Sequence, residues 1–172
     1  VHYIEYVVRE ATMPDASSIP DGAVGVVTRL LDATNGHDLP ALTACFAADY
    51  VNETPAHPLR GFTGREQVRA NWTQLFASIP NLRASIVGIT EDASDRDVVW
   101  SDWRMTGTRP DGSTHEMAGV IVFTVRGGEI VHGTFGLEPV ERATGGIGDN
   151  IRRVAPGPTQ ATVTTKTAGM TP

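Results

Sequence analysis

Three runs decide the architecture: VVWSDWRMTGT (98–108), THEMAGVIVFTV (114–125) and EIVHGTFGLEPV (129–140). Each is rich in β-branched and aromatic residues, the composition that suits a pleated surface. Asp111-Gly112 lies between the first two and Gly127-Gly128 between the last two. Such pairs tolerate positive φ and close hairpins. A fourth run, LRASIVGIT (82–90), follows the helix-breaking Pro80-Asn81. Four extended segments joined by short turns predict an antiparallel meander.

Upstream of the meander the period changes from two to between three and four. Val24, Val27, Leu30, Leu31 and Thr34 share one helical face, with Asp21 as cap and Asn35-Gly36 as stop. Asp38 before Leu39-Pro40 starts a second helix whose stripe is Leu39, Leu42 and Phe46. A short strand over 50–54 leads to the proline-punctuated loop Pro55-Ala56-His57-Pro58. Thr63 and Glu66 read as a capping box for a third helix that turns Val68, Trp72, Leu75, Phe76 and Ile79 inward. Helices followed by a meander make an α+β plan. The expected organisation is an N-terminal extension over 1–20, one domain over 21–141 and a flexible Gly-, Thr- and Pro-rich tail over 142–172. Met13-Pro14-Asp15 reads as a candidate start, which makes the preceding residues an extension of the reading frame.

Composition narrows the function classes. The 172 residues carry a formal net charge of −6, with no basic stripe, which argues against nucleic acid as a partner. Cys45 is the single cysteine, so neither an intrachain disulfide nor a thiolate-rich metal site can form from this chain alone. No apolar run reaches the roughly 20 residues of a membrane span, and the first residues lack a signal-peptide pattern. The expectation is a cytoplasmic protein without membrane association. The Gly-rich stretches 127–128 and 145–148 lack the lysine and the strand-to-helix setting of a phosphate loop. No pair of histidines has helical ligand spacing, so no metal and no cofactor are expected.

Asp38-Leu39-Pro40-Ala41-Leu42, Phe46-Ala47-Ala48-Asp49-Tyr50 and Gly61-Phe62-Thr63-Gly64-Arg65-Glu66 resemble the opening of SnoaL-like proteins. Trp103 to Thr108, Gly119 to Phe123 and Gly128 to Val131 resemble their last strands, in the same order. The resemblance implies the cone-shaped fold of the nuclear transport factor 2-like superfamily: a strongly curved, mixed or antiparallel sheet wrapped round three N-terminal helices. It also implies an apolar internal pocket, an apolar small-molecule partner and frequent dimerisation through the sheet. Ketosteroid isomerases, polyketide cyclases and limonene epoxide hydrolases use this scaffold, as do non-catalytic proteins. Fold alone does not choose among them.

Carried over position by position, the family's catalytic groups are mostly missing. The isomerase positions fall on Thr54, Leu30 and Ile121, and the acid on the last strand of cyclases and epoxide hydrolases falls on Phe135. Tyr50 and Asn52 match the pair that holds the attacking water in the hydrolases, and Asp102 with Arg104 matches their Asp and Arg in reversed order. These four are the candidate catalytic residues, with Asp102 as base or water activator and Arg104 orienting it or stabilising an oxyanion. The alternative for Asp102 and Arg104 is a structural ion pair. Trp100, His115, Met117, Ile121, Phe123, Phe135, Leu30, Thr54 and Trp72 are candidate substrate contacts, and His57 is placed at the pocket mouth.

Two readings follow. One is a cofactor-independent enzyme acting on a terpenoid- or polyketide-like substrate by isomerisation, cyclisation or epoxide hydrolysis. The other is a ligand-binding or dimerisation module. Strand alternation leaves Val99, Ser101, Trp103 and Met105 for the outer face, where a homodimer would cover them.

Overall fold

The computed structural model describes residues 22–141 and 146–154. Among these, α1 (Ala23–Gly36), α2 (Leu39–Ala44), β1 (Phe46–Glu53), β2 (Phe62–Thr63) and α3 (Arg65–Ser78) precede the meander. The meander is β3 (Arg83–Glu91), β4 (Val98–Thr108), β5 (Thr114–Arg126) and β6 (Glu129–Pro139). The six strands form one mixed sheet in the order β2-β1-β6-β5-β4-β3, with β1 parallel to β6 and every other pairing antiparallel. The four long extended runs and both hairpin turns stand where their composition places them.

Local chemistry explains the element ends, with two corrections to the expected caps. Asp38 caps α2, its Oδ1 accepting from the Ala41 N–H at 3.0 Å. Thr63 does not cap α3: it pairs with Val51 in the sheet, and Gly64, at φ 100°, is the residue before the helix. Helix α1 runs through Gly36 and stops at His37, which adopts the left-handed conformation at φ 52°. Tertiary contacts hold it there. Its Nε2 lies 2.9 Å from the Leu82 carbonyl and its ring stacks on Phe76 at 4.5 Å. Asn35 adds two bonds to the edge of β3, donating to Ala84 O at 2.9 Å and accepting from Ala84 N at 2.8 Å.

One face of the sheet packs on the helices and builds the core. Val99, Ser101, Trp103 and Met105 of β4 lie on this inner face, all buried, opposite Phe123, Ile121, Gly119 and Met117 of β5. This reverses the expected parity: Trp100, Asp102 and Arg104 face away from the core, with Trp100 47% exposed. The period of two alone cannot say which face is inward, because this strand carries a tryptophan on each. The packing partner decides. Trp103 stands opposite Gly119, which has φ +150° and whose added Cβ would lie 2.0 Å from the Gly136 carbonyl oxygen. Its indole N–H donates to Ser101 Oγ at 2.8 Å, and that hydroxyl donates to Ile121 O at 2.9 Å, so the polar atoms on the inner face of β4 are satisfied.

His115, at the start of β5, is also buried on the inner face. Arg109 Nη2 lies 3.2 Å from its Nδ1, and since arginine only donates, the neutral ring carries its proton on Nε2. That Nε2 is buried without a hydrogen-bond partner. Burial first, and the Arg109 charge second, hold the His115 pKa below its usual value.

The chain divides between Val140 and Glu141. In the second unit, Ile147–Val154 forms helix α4, with Asp149 Oδ2 accepting from the Gly146 N–H at 3.0 Å. This helix lies within the segment 142–172 expected as a tail. Most of that tail, residues 1–20 and Asp21 with its expected cap lie outside the described residues.

Two outcomes follow. Gly119→Ala is expected to cost about 3 kcal/mol or more, through a strained φ and a collision with backbone, as read by denaturant unfolding. For His115 the folded pKa lies below the unfolded value of 6.5, so the unfolded state binds the proton first. Its contribution is constant above pH 6.5 and is lost as pH falls from there through the depressed folded pKa. Subtracting the pH–stability profile of His115→Leu from that of the native protein should isolate this loss.

Candidate functional site

Between α3 and the inner face of the sheet lies a cavity of about 270 Å³. Small-molecule sites usually run from roughly 300 to 1,000 Å³, so the occupant is small. Helix α3 contributes Val68, Asn71, Trp72 and Leu75, one face at spacings of three and four. Trp72 and Leu75 are half-buried, packed against the edge of the core and bordering the cavity. The sheet contributes Met105, Met117, Phe135 and Leu137. Phe135 packs edge-on to Phe123 at 5.9 Å, which stands behind it in the core.

The polar wall is β1. Tyr50, Asn52 and Thr54 alternate onto its inner face and all are buried. The Tyr50 hydroxyl donates to Asn52 Oδ1 at 3.1 Å, and Asn52 Nδ2 stands 3.5 Å from Thr54 Oγ1. Burial raises the Tyr50 pKa, so the phenol stays protonated at any ordinary pH. The row depends on Gly133 of β6: a Cβ there would lie 2.5 Å from the Tyr50 hydroxyl. The ring sits edge-on to Phe46 at 4.8 Å and to Phe62 at 6.0 Å, which fixes the direction of the hydroxyl.

At one side of the cavity stands the loop between β1 and β2. Arg60, in the single turn Pro58–Arg60, borders the cavity and lies 3.6 Å from Glu138 Oε2. His57 Nε2 approaches Glu138 Oε1 at 3.2 Å. Here the loop histidine stands beside a carboxylate of the last strand and is not a member of the cavity wall.

The structure therefore sorts the candidates into three groups. Tyr50, Asn52, Thr54, Trp72, Met117 and Phe135 come together around the cavity. Leu30, His115, Ile121 and Phe123 are buried on the same side of the sheet but do not border it. Trp100, Asp102 and Arg104 lie across the sheet from it, and the expectation that they face the cavity is corrected by the β4 register. Asp102 and Arg104 do form the ion pair, side chains 37% and 44% exposed, and the Trp100 indole donates to Asp92 Oδ2 at 3.3 Å. Arg60, Phe62, Asn71 and Leu137 also line the cavity without having been expected there, and Met105, expected on the outer face, lines it too. Asn71 was open to discovery, one turn from Val68 and Leu75 on the predicted inward face. Arg60 had no such signal.

A group of three or more His, Cys, Asp or Glu side chains able to hold a metal is absent among the described residues. None of their helices is long and apolar enough to cross a membrane.

Comparison with known proteins agrees with this geometry. No curated protein matches the chain. Among solved structures, a protein of ketosteroid isomerase-like fold from Catenulispora acidiphila, in complex with trimethylamine, is 24% identical, with TM-score 0.55 over 63% of this chain and 82% of that one. Wild-type IdmH from Streptomyces antibioticus, a candidate polyketide cyclase, is 24% identical, with TM-score 0.55 over 66% of this chain and 88% of its own. Rv0760c from Mycobacterium tuberculosis, in complex with estradiol-17beta-hemisuccinate, is 21% identical, with TM-score 0.57 over 65% and 90% of the two chains. These likenesses show a nuclear transport factor 2-like α+β fold. The family model for the SnoaL-like domain matches residues 27–133, which span α1, the β1 polar wall, α3 and most of the meander. The chain belongs to the SnoaL-like family.

Proposed function

We propose that this chain binds one small apolar molecule in the cavity between α3 and the sheet, with the Tyr50–Asn52–Thr54 row orienting its polar end. The observation that carries the reading is the division of the wall: aromatic, aliphatic and thioether side chains on α3, β4, β5 and β6, and one row of hydrogen-bonding groups on β1. Burying apolar surface supplies affinity, and a few fixed polar groups supply orientation. The structural neighbours from C. acidiphila and M. tuberculosis each hold a small molecule, which supports the same use of the scaffold here.

Non-catalytic binding is favoured over acid–base catalysis through Asp102. That carboxylate lies across the sheet from the cavity, and the described cavity lining includes no Asp or Glu. A second reading, water addition or proton transfer on the bound molecule, has one observation in its favour. The protonated Tyr50 hydroxyl and the Asn52 amide are hydrogen-bonded to each other beside an apolar ligand space. Any such chemistry would run on neutral donors.

The reading extends to assembly as a homodimer. The outer face of the meander exposes Trp100 at 47% and Val120 at 41%, beside half-buried Val122. A second copy covers that face, which removes a tryptophan-bearing apolar patch from water. The patch is not the one expected from the sequence, because the parity of β4 is reversed.

Two experiments test these statements. Titration with the neutral fluorophore N-phenyl-1-naphthylamine should show saturable binding, with Trp72 emission falling as probe emission rises. Leu75→Glu places a charge in the cavity wall and should weaken that binding by about tenfold or more. Asp102→Asn should leave it within about twofold and change stability by about 1 kcal/mol or less, as for other solvent-screened pairs. A strong loss of probe affinity in Asp102→Asn would overturn the assignment of the site. For assembly, sedimentation should give a dimer for the native chain and a monomer for Val120→Glu.

A further inference from the structure

Resting on the binding reading above, we infer that the occupant is a small apolar carboxylic acid whose carboxylate is held at the cavity edge by Arg60. Arg60 is the one charged side chain among the described residues of the cavity wall. Its countercharge is incomplete. The nearest carboxylate oxygen, Glu138 Oε2, lies 3.6 Å from Nη1, beyond ordinary hydrogen-bond length, and the arginine side chain is 58% exposed. Glu138 also meets His57 through its other oxygen, at 3.2 Å. A guanidinium carries five donors in a planar fork, and this contact satisfies none of them well.

The backbone that carries Arg60 is held in a closed turn. Arg60 N donates to His57 O at 2.9 Å and Gly61 N donates to Pro58 O at 3.1 Å, closing the turn. Gly61 packs so closely on β1 that a Cβ would stand 3.1 Å from the Asn52 carbonyl oxygen. The base of the turn is therefore clamped beside Asn52, and Arg60 and the polar row belong to the same side of the cavity. Opposite them the wall is Trp72, Leu75, Met105 and Met117. This polarity matches a molecule with an apolar body and one acidic end. A neutral hydrocarbon would leave the Arg60 donors to water, and a cation would be repelled. A carboxylate accepts two parallel N–H bonds from the fork, the geometry in which arginine outperforms lysine.

The test uses the full chain and displacement of bound N-phenyl-1-naphthylamine by decanoate and by decan-1-ol, which share an apolar body and differ at one end. Decanoate is expected to displace the probe at about tenfold lower concentration than decan-1-ol, and added salt should narrow the gap. Arg60→Gln should abolish the preference, read as the ratio of the two displacing concentrations in the same variant, and Arg60→Lys should restore part of it. Glu138→Gln removes the competing carboxylate and should move the other way, tightening decanoate by a few fold. Equal potency of the acid and the alcohol, with the probe still bound, would overturn the inference and leave the binding reading standing. A decanoate preference that survives Arg60→Gln would also overturn it. Failure of the probe and decanoate alike to bind, by fluorescence and by calorimetry, would remove both.

Discussion

Trp103 opposite Gly119 is the contact on which the rest of the domain depends. Burying the Trp103 indole is worth roughly 4 kcal/mol of transfer free energy, and its N–H is satisfied inside by Ser101 Oγ at 2.8 Å. Once that ring is inside, alternation assigns every other residue of the strand: Val99, Ser101 and Met105 inward, Trp100, Asp102 and Arg104 outward. The ladder carries the assignment to β5 and β6, which places Phe123, Met117, Phe135 and Leu137 on the helix side. Glycine at 119 is required because its φ is positive and Gly136 of the neighbouring strand approaches within what a Cβ would occupy.

The cavity results from a mismatch between that face and the helix that covers it. On α3, Val68 reaches the core and is buried, while Trp72 and Leu75 stop short. Their large side chains coat the space without filling it. On the facing strands, Met105 and Met117 offer flexible walls of the kind that adapt to an occupant. Small residues elsewhere keep the polar row in place. Gly133 leaves room for the Tyr50 hydroxyl, and Gly107 lies where a Cβ would come within 2.3 Å of Ile79, which ties the helix end to β4. A site of this type is shaped as much by the residues that have no side chain as by those that line it.

Charge is distributed with the same logic. Several ion pairs stand at solvent-facing positions, among them Asp102 with Arg104 across the sheet from the cavity and Asp95 and Asp97 with Arg126. There they cost little desolvation and hold little energy. Inside, polar groups are neutral and mostly paired with one another: Tyr50 with Asn52, Trp103 with Ser101. Two groups are exceptions: His115, a buried ring with one nitrogen satisfied by Arg109 and the other by nothing, and Glu138, whose buried Oε1 has no hydrogen-bond partner.

From the sequence alone came the four extended runs, their hairpins, the inward faces of α1 and α3, and the pairing of Tyr50 with Asn52 on one side of a strand. These are local properties, fixed by periodicity and turn chemistry within a few residues. The resemblance to SnoaL-like proteins was legible too, because it is carried by short ordered motifs. What only the tertiary structure decided was the side of the sheet on which each strand's residues lie. Alternation is symmetric: a strand with Trp100 on one face and Trp103 on the other reads equally well both ways. The choice was made by packing across the sheet, where the Trp103 ring meets Phe123 edge-on at 6.5 Å and its N–H meets Ser101. The same holds for the left-handed His37. Its position is set by Leu82 and Phe76, residues distant in the chain, and no local pattern records where a folded chain will bring them together.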